Sequence, residues 1–246
     1  YLAELIKSSR PPQLVEKLSR DMASIRAPNI LYPVGDPVYI HIYPDPQSGS
    51  LKYHPVEPRI AKNREQILSD VERILALNID AVEVPEEASA REQVLNRLID
   101  RLFPVNARLK TASGLELRID RDLHNRLKYE LYCEKIGVSI LEPMIRDPFI
   151  EDIHCSGLGP IFLHHKIVGH MESTISFEGL EELDGFVMKL SEFVGKPVSH
   201  RSPIVDAKLP DGSRINIVFG EDISQRGSNF TIRKFATKPL SIIELI

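Results

Sequence analysis

Near the C-terminal end of this 246-residue chain, Asp206, Lys208, Arg214, Asn216, Thr231 and Arg233 occupy alternate positions in three short segments. The positions between them are apolar: Val205, Ala207 and Leu209, then Ile215, Ile217 and Phe219, then Phe230 and Ile232. Side chains of a strand point to opposite faces with period two. Strands over 204–209, 213–219 and 229–235 would send the apolar set to one core and gather the polar set on the other face. Two guanidinium groups on neighbouring strands, with a lysine nearby, suit a phosphate, because the planar fork of arginine makes two parallel hydrogen bonds to it. A solvated sheet face carries the same alternation and is the commoner case, so the pattern by itself favours that reading over an anion site.

Other chemistry is less supported. His154, His164, His165 and His170 lie close in sequence with Cys155 beside the first. Adjacent strand residues face opposite ways, so His164 and His165 cannot share one metal ion. His41 and His54 can meet across a hairpin, but two ligands without carboxylate support do not make a site. Cys133 reads as a small core residue of a helix, with no base beside it. Gly157-Leu158-Gly159 begins like a dinucleotide fingerprint and fails at Phe162. A phosphate-binding loop needs G-x-x-x-x-G-K-S/T, whereas the sole Gly-Lys pair here, Gly195-Lys196, is followed by Pro197. The standard machinery of phosphoryl transfer is therefore missing from these residues. No serine triad or paired-carboxylate signature stands out.

The elements that must position these residues follow from periodicity and punctuation. Leu14, Leu18, Met22 and Ile25 predict a helix over 11–25 behind Pro11 and Pro12. A hairpin is expected from Val38–Tyr43 and Leu51–Val56 around a Pro- and Gly-containing turn. Further helices are expected at 62–77, from a Ser89–Glu92 capping box to Pro104, and from about Asp120 to Ile136, where Gly137 stops the last. Short strands follow at Glu151–Ser156, Pro160–His165 and Ile167–Glu172. An amphipathic helix at 178–194 then ends at Gly195. Pro210-Asp211-Gly212 joins two of the last three strands as a hairpin turn. The expected class is α+β: a helical N-terminal part, then a domain with an antiparallel sheet.

Composition sets outer limits. Hydrophobic residues make up 42% and charged residues 27%, as in a globular protein with a sizeable core. The net charge of −4 argues against a general nucleic-acid binder. From His200 onward seven basic residues face five acidic ones, so this part carries +2 and the remainder −6. No apolar run approaches the roughly 20 residues of a membrane span. Two cysteines read as a reduced, intracellular chain. Leu2 to Lys7 is too short and too charged for a signal peptide. At the other end, Ser241 and Glu244 form a capping box that opens a helix, which predicts a chain cut where a further domain starts.

Several strings together resemble one family. Arg201-Ser202-Pro203-Ile204-Val205-Asp206-Ala207-Lys208-Leu209-Pro210-Asp211-Gly212-Ser213-Arg214-Ile215-Asn216 is similar to the segment ahead of the nucleotide-binding domain of type II/IV secretion ATPases. Thr231-Ile232-Arg233-Lys234-Phe235, followed by Pro239-Leu240, resembles the same family's domain junction. Asp147-Pro148-Phe149-Ile150-Glu151-Asp152-Ile153 resembles its D-P-x-I/V-x-D/E-I/V start of the sheet. Gly35-Asp36-Pro37-Val38-Tyr39 and Val56-Glu57-Pro58 look like the archaeal branch, which includes the archaellum motor ATPase.

The resemblance implies a helical subdomain with a hairpin over 1–115 and a PAS-like α+β domain over 116–238. It also implies a linker over 239–246 leading to a RecA-like motor. It implies a homo-hexameric ATPase at the cytoplasmic face of the membrane, held there by a membrane platform protein, with no nucleic-acid partner. ATP and Mg²⁺ would bind the full-length protein and not be required by this stretch. Hydrolysis falls on none of these residues, since Walker A and Walker B are missing, and the chain alone should be inactive. By motif Arg214 and Arg233, together with Arg201, are the nucleotide phosphate contacts, coupling nucleotide state to domain movement. The alternatives are a non-enzymatic PAS-like sensor or adaptor that binds a protein partner, and the same domain from the archaellum motor ATPase.

Overall fold

The computed structural model describes residues 11–19, 21, 22, 25, 27–78, 85, 87–110, 114 and 116–235. In chain order the elements are β1 (Gln13–Leu14), β2 (Ile30–Pro33), β3 (Tyr39–Pro44), β4 (Leu51–Val56), α1 (Arg64–Ala76) and α2 (Ala88–Leu102). Next come β5 (Arg108–Lys110), β6 (Glu116–Arg118), α3 (Arg121–Lys135), a 3₁₀ turn at Ser139–Leu141 and α4 (Glu142–Arg146). The chain continues through β7 (Ile150–Cys155), β8 (Gly159–His165), β9 (Gly169–Phe177), α5 (Leu180–Phe193), β10 (Ile204–Lys208), β11 (Arg214–Val218) and β12 (Asn229–Arg233). The α+β class with an antiparallel-dominated sheet is as expected from the sequence. The start expected for a helix at Ser241 lies outside the described residues.

Two compact units divide the chain: the described residues up to Val56 together with those from Pro143 onward, and Glu57–Glu142. The expected division near residue 115 is not where contacts separate. The early strands belong to the late sheet, whose order is β1-β2-β3-β4-β9-β8-β7-β12-β11-β10. The join is a short parallel pairing of Lys52 with Glu172 and Tyr53 with Ser173. Residues 120 positions apart make that ladder, and local periodicity carries no sign of it.

The α-helix expected over 11–25 does not form in its described part, where Asp21 and Met22 make only a 3₁₀ turn. Gln13–Leu14 instead pairs parallel with Ile30–Leu31, Gln13 N–H donating to Asn29 O at 2.9 Å and Val15 N–H to Leu31 O at 2.8 Å. Leu14 is exposed while Leu18 is buried, so the leucines that suggested one helical face do not share a core. Sheet-edge hydrogen bonds have overridden a weak propensity signal.

In the sheet unit one face is apolar. Ile153, Cys155, Ile161, Leu163, Phe177, Ile215, Ile217, Phe230 and Ile232 are all buried. Helix α5 lies over it with Leu183, Val187 and Leu190 buried, and Phe186 packs its ring 5.3 Å from Phe177 and 5.7 Å from Phe230. Gly195 ends this helix at φ +71°, a conformation costly for a side chain with a Cβ. The opposite sheet face is polar and carries the residues singled out above.

In the Glu57–Glu142 unit, α1, α2 and α3 enclose Ile67, Leu68, Val71, Leu98, Ile99, Phe103, Leu127 and Leu131, with Leu109 of the β5–β6 hairpin and Ile119. Asp120 caps α3, its Oδ1 accepting from Leu123 N–H at 2.8 Å. The Ser89 capping box does not form: Glu87 is the N-cap of α2, and Ser89 Oγ donates to Glu87 Oε1 at 2.7 Å from within the helix. On α3, Glu130 is fully buried and accepts from Arg59 Nη1 at 3.0 Å, Arg64 Nη2 at 2.7 Å, Arg64 Nε at 2.9 Å and Ile60 N–H at 3.0 Å. Glu57 takes a second branch of Arg59 at 2.7 Å.

Candidate anion-binding face of the sheet

The turn at Pro210-Asp211-Gly212 fixes the register on which this face depends. Gly212 sits at φ +87°, and its N–H reaches Leu209 O at 2.9 Å. Asp211 Oδ1 accepts Ser213 N–H at 3.0 Å, and Leu209 N–H closes the hairpin on Ser213 O at 2.8 Å. That geometry sets Lys208 directly opposite Arg214. Across the next ladder Arg214 stands opposite Arg233, and beyond it Arg233 stands opposite Asp152. Three cations therefore fall in one cross-strand row.

Like charges directly opposite destabilise a sheet, and the surroundings relieve this only in part. Asp152 Oδ1 accepts from Arg233 Nε at 3.1 Å. Asp206 is turned to Asn216, accepting from its Nδ2 at 2.8 Å. Lys196 Nζ covers the sheet edge by donating to Asp206 O at 2.7 Å. Among the described residues Arg214 and Lys208 make no ion pair. The row borders a concavity of about 750 Å³ whose lining includes Lys196, Asp206, Lys208, Arg214, Asn216, Thr231 and Arg233. Arg233 also lines a second concavity of about 460 Å³ with Arg146, Lys166 and Lys234 against Glu151, Asp152 and Asp211.

The structure thus brings Arg214 and Arg233 together and leaves Arg201 apart. Arg201 occupies the turn in which Ser199 and Ser202 exchange backbone hydrogen bonds, ahead of Ile204. It is therefore at the opposite end of β10 from Lys208, a strand length of roughly 13 Å away. Sequence reasoning missed Lys196, noticed only as a failed phosphate loop, and missed Asp152 as the partner of Arg233. The alternation in β7 could have placed Asp152 on this face, but its neighbour on β12 could not be known.

The histidines separate as expected from alternation. His165 is fully buried, its Nδ1 accepting from Ile167 N–H at 3.1 Å and Val168 N–H at 3.2 Å. His164 lies on the other face, its Nδ1 2.9 Å from Glu151 Oε2 and its ring 4.6 Å from that of His170. Among the described residues no group of three or more His, Cys, Asp or Glu side chains could hold a metal ion. His41 and His54 stand opposite each other across the hairpin, His41 hydrogen-bonded to Asn29 at 2.7 Å and His54 to Thr174 at 2.8 Å. Cys133 is buried in α3, and burial pushes its thiol up to about 12.

Behind the arginine row lies a buried polar cluster that sequence reasoning did not foresee. Asp147 is fully buried, and its Oδ2 accepts from Tyr32 Oη at 2.6 Å and Tyr53 Oη at 3.1 Å, while Oδ1 accepts Phe149 N–H at 2.8 Å. Burial raises its carboxyl above the ordinary value despite these donors. Lys234, next to Arg233, turns inward and donates from Nζ to Met144 O at 3.2 Å and to Asp147 O. Burial lowers its ammonium to about 8, with the Asp147 carboxylate opposing the shift.

Comparison with known proteins gives relatives of unassigned role. MJ0900 of Methanocaldococcus jannaschii, an uncharacterised protein, is 38% identical over 96% of this chain and 45% of its own length. MJ1288 of the same organism, also uncharacterised, is 32% identical over 70% of this chain and 66% of its own length. The chain thus spans about half the length of the first of these relatives. No family model matches. Among solved structures there is a weak likeness to the VirB11 ATPase of the Brucella suis type IV secretion system, crystallised with sulphate. The TM-score is 0.35 and the identity 24%, over 42% of this chain and 32% of that one. Likeness at that level does not define a fold or a function.

Proposed function

We propose that this chain is the nucleotide-facing N-terminal part of a secretion or pilus-assembly ATPase, and that Arg214 and Arg233 contact the nucleotide phosphates. The observation that carries the reading is the cross-strand row Lys208–Arg214–Arg233, open to a concavity and only partly neutralised. A fold that aligns three cations with a single paired carboxylate, Asp152, gains stability when an anion enters. The motif strings that resemble secretion ATPases fall on this row and on the Asp147 segment behind it.

The donor set fits the phosphates of ATP: two planar forks and a lysine offer parallel hydrogen bonds to oxygens that share negative charge. The described residues provide no three-carboxylate set for Mg²⁺, which would have to be held by the phosphates and by residues of the motor domain. The role of this face is to bind and orient phosphate oxygens and to neutralise charge that develops during transfer. Arg201, at the far end of β10, is the third contact in this reading and stands apart from the row. The partners in this reading are a C-terminal RecA-like domain, five further copies in a hexamer and a membrane platform protein. The location is cytoplasmic at the membrane's inner face. Among the described residues no helix is long and apolar enough to cross a membrane.

The test is ATP turnover by the intact protein. Arg214→Ala and Arg233→Ala should each lower kcat by about 10²-fold, the loss typical for one charge-stabilising donor. Near-normal turnover in both would overturn the assignment.

A further inference from the structure

We infer that Asp147 and Lys234 form a positioning latch, which fastens the C-terminal end of β12, and with it Arg233, to the early strands β2 and β4. Anion occupancy of the arginine face and order in those strands are thereby coupled. This inference rests on the reading of Arg233 as a phosphate contact and extends it to residues that touch no ligand.

Six hydrogen bonds hold the latch and the strand end beside it. Tyr32 of β2 and Tyr53 of β4 both donate to the same Asp147 oxygen, at 2.6 and 3.1 Å. The backbone oxygen of Asp147 accepts from Lys234 Nζ, and Met144 O accepts from it at 3.2 Å. Lys234 N–H donates to Glu151 O at 2.8 Å, continuing the β12–β7 ladder one residue past Arg233. Phe235 N–H then donates to Ser213 Oγ at 3.2 Å, beside the turn that sets Lys208 against Arg214. Residues 32, 53, 147 and 234 are distant in sequence, yet one buried carboxylate and one inward lysine join them around the end of a single strand.

The cluster is expensive to maintain, which argues that its geometry is used. Asp147 is fully buried and shielded from water, and Lys234 gives up most of its hydration for two carbonyl oxygens. Apolar residues at both places would fill the same space without that cost. What a polar cluster adds is a specific arrangement: two hydroxyls meet one carboxylate, and one ammonium meets two backbone oxygens of the same segment. Arg233 projects to the other face from the residue next to Lys234. A shift of β12 along its ladder would break the Lys234 bonds and separate Arg233 from Arg214 together.

The charged groups around Lys234 set how it responds to an anion. Asp147 and Asp211 favour its protonated form and Lys166 opposes it. Arg146, Glu151, Asp152 and Arg233 line the same concavity. A polyanion on Arg233 adds negative charge beside this ammonium, so binding favours proton retention there. ATP affinity of the wild-type protein should therefore decline as pH rises through about 8.

The experiment follows hydrogen exchange of the backbone amides in Ile30–Pro33 and Leu51–Val56 in the intact protein, with and without ATP. In the wild type ATP should slow exchange in both strands. In Lys234→Met, which keeps the aliphatic stem, ATP affinity should fall about two- to thirtyfold. The slowing of the two strands should vanish, and the pH dependence near 8 should flatten. If this variant folds yet keeps wild-type affinity, pH profile and strand response, the latch is overturned. Should Lys234→Met not fold, Tyr53→Phe removes one hydroxyl donor from Asp147 with minimal change in shape. It should weaken the strand response to ATP, and an unchanged response overturns the latch equally. Arg233→Ala separates the two claims. If it leaves ATP binding intact, the phosphate reading fails, while faster exchange of the two strands in ligand-free Lys234→Met still supports the latch and unchanged exchange rejects it.

Discussion

In the unit spanning Glu57–Glu142, Arg59 and Arg64 converge on the buried Glu130; in the sheet unit, Arg214 and Arg233 stand side by side, and Asp152 touches only the second. The residue types are the same and the outcomes are opposite. Glu130 has its lone pairs filled by two guanidiniums and the Ile60 amide, away from water. Burial alone would raise its carboxyl, but the Arg64 hydrogen bonds, the Arg59 charge and the Ile60 N–H outweigh it, so the group lies below its ordinary value. The arginine row is exposed, like-charged and short of carboxylates. The first arrangement holds a fold together, whereas the second costs the fold a little and leaves capacity for a ligand. Charge count does not distinguish them; burial and unmet pairing do.

Substitutions can break this contrast. Glu130→Ala should have the largest effect, about 3 kcal/mol of stability, because Arg59 and Arg64 would keep half-buried charge with only Glu57 and Glu134 left beside them. Chemical denaturation measures it, and a loss below 1 kcal/mol would mean water reaches the arginines. Next is the roughly 10²-fold fall in turnover for Arg214→Ala and Arg233→Ala, read by steady-state kinetics on the intact protein.

Acid titration sharpens the contrast further. Burial lowers His165 from 6.5 to about 4, so the unfolded chain binds the proton first. Its contribution is intact above 6.5, declines as pH falls, and amounts to a loss of about 1.4 kcal/mol by pH 5.5. Asp147, whose carboxyl is raised, acts in the opposite sense, and His165→Gln isolates the imidazole by removing its share of the slope. Glu130 is depressed, so its contribution holds through that range and is lost only as pH falls below the ordinary carboxylate value. Unfolding midpoints followed by probes in each unit should therefore separate between pH 6.5 and 5. The smallest effect is on stability at the arginine row. Arg214→Ala should raise stability by a few tenths of a kcal/mol at low salt, since it removes like-charge opposition, and the gain should shrink as salt increases.

Much of the sheet was legible because its alternation is clean. Val205, Ile215, Ile217, Phe230 and Ile232 are buried as the period of two requires, and Pro210-Asp211-Gly212 forms its turn. The helices at 64–76, 121–135 and 180–193 follow their apolar spacing closely. The Ser89 capping box was misleading because such a box needs the preceding backbone to be extended at Ser89 itself, and here the helix already begins at Ala88. Leu14 and Leu18 suggested a helix that edge pairing with β2 displaced.

By itself the sequence determined local matters: which strands alternate, where turns fall, and that Arg214 and Arg233 would share a face with Lys208. These depend on period and on turn chemistry, which operate over a few residues. Only the tertiary structure decided that Arg214 lies opposite Arg233, that Asp152 meets only one of them and that Arg201 lies at the far end of its strand. It alone joined Tyr32 and Tyr53 to Asp147, and Asp147 to Lys234. Such pairings depend on which distant strands meet and in what register, and that is fixed by burial of a shared core rather than by any neighbouring residue.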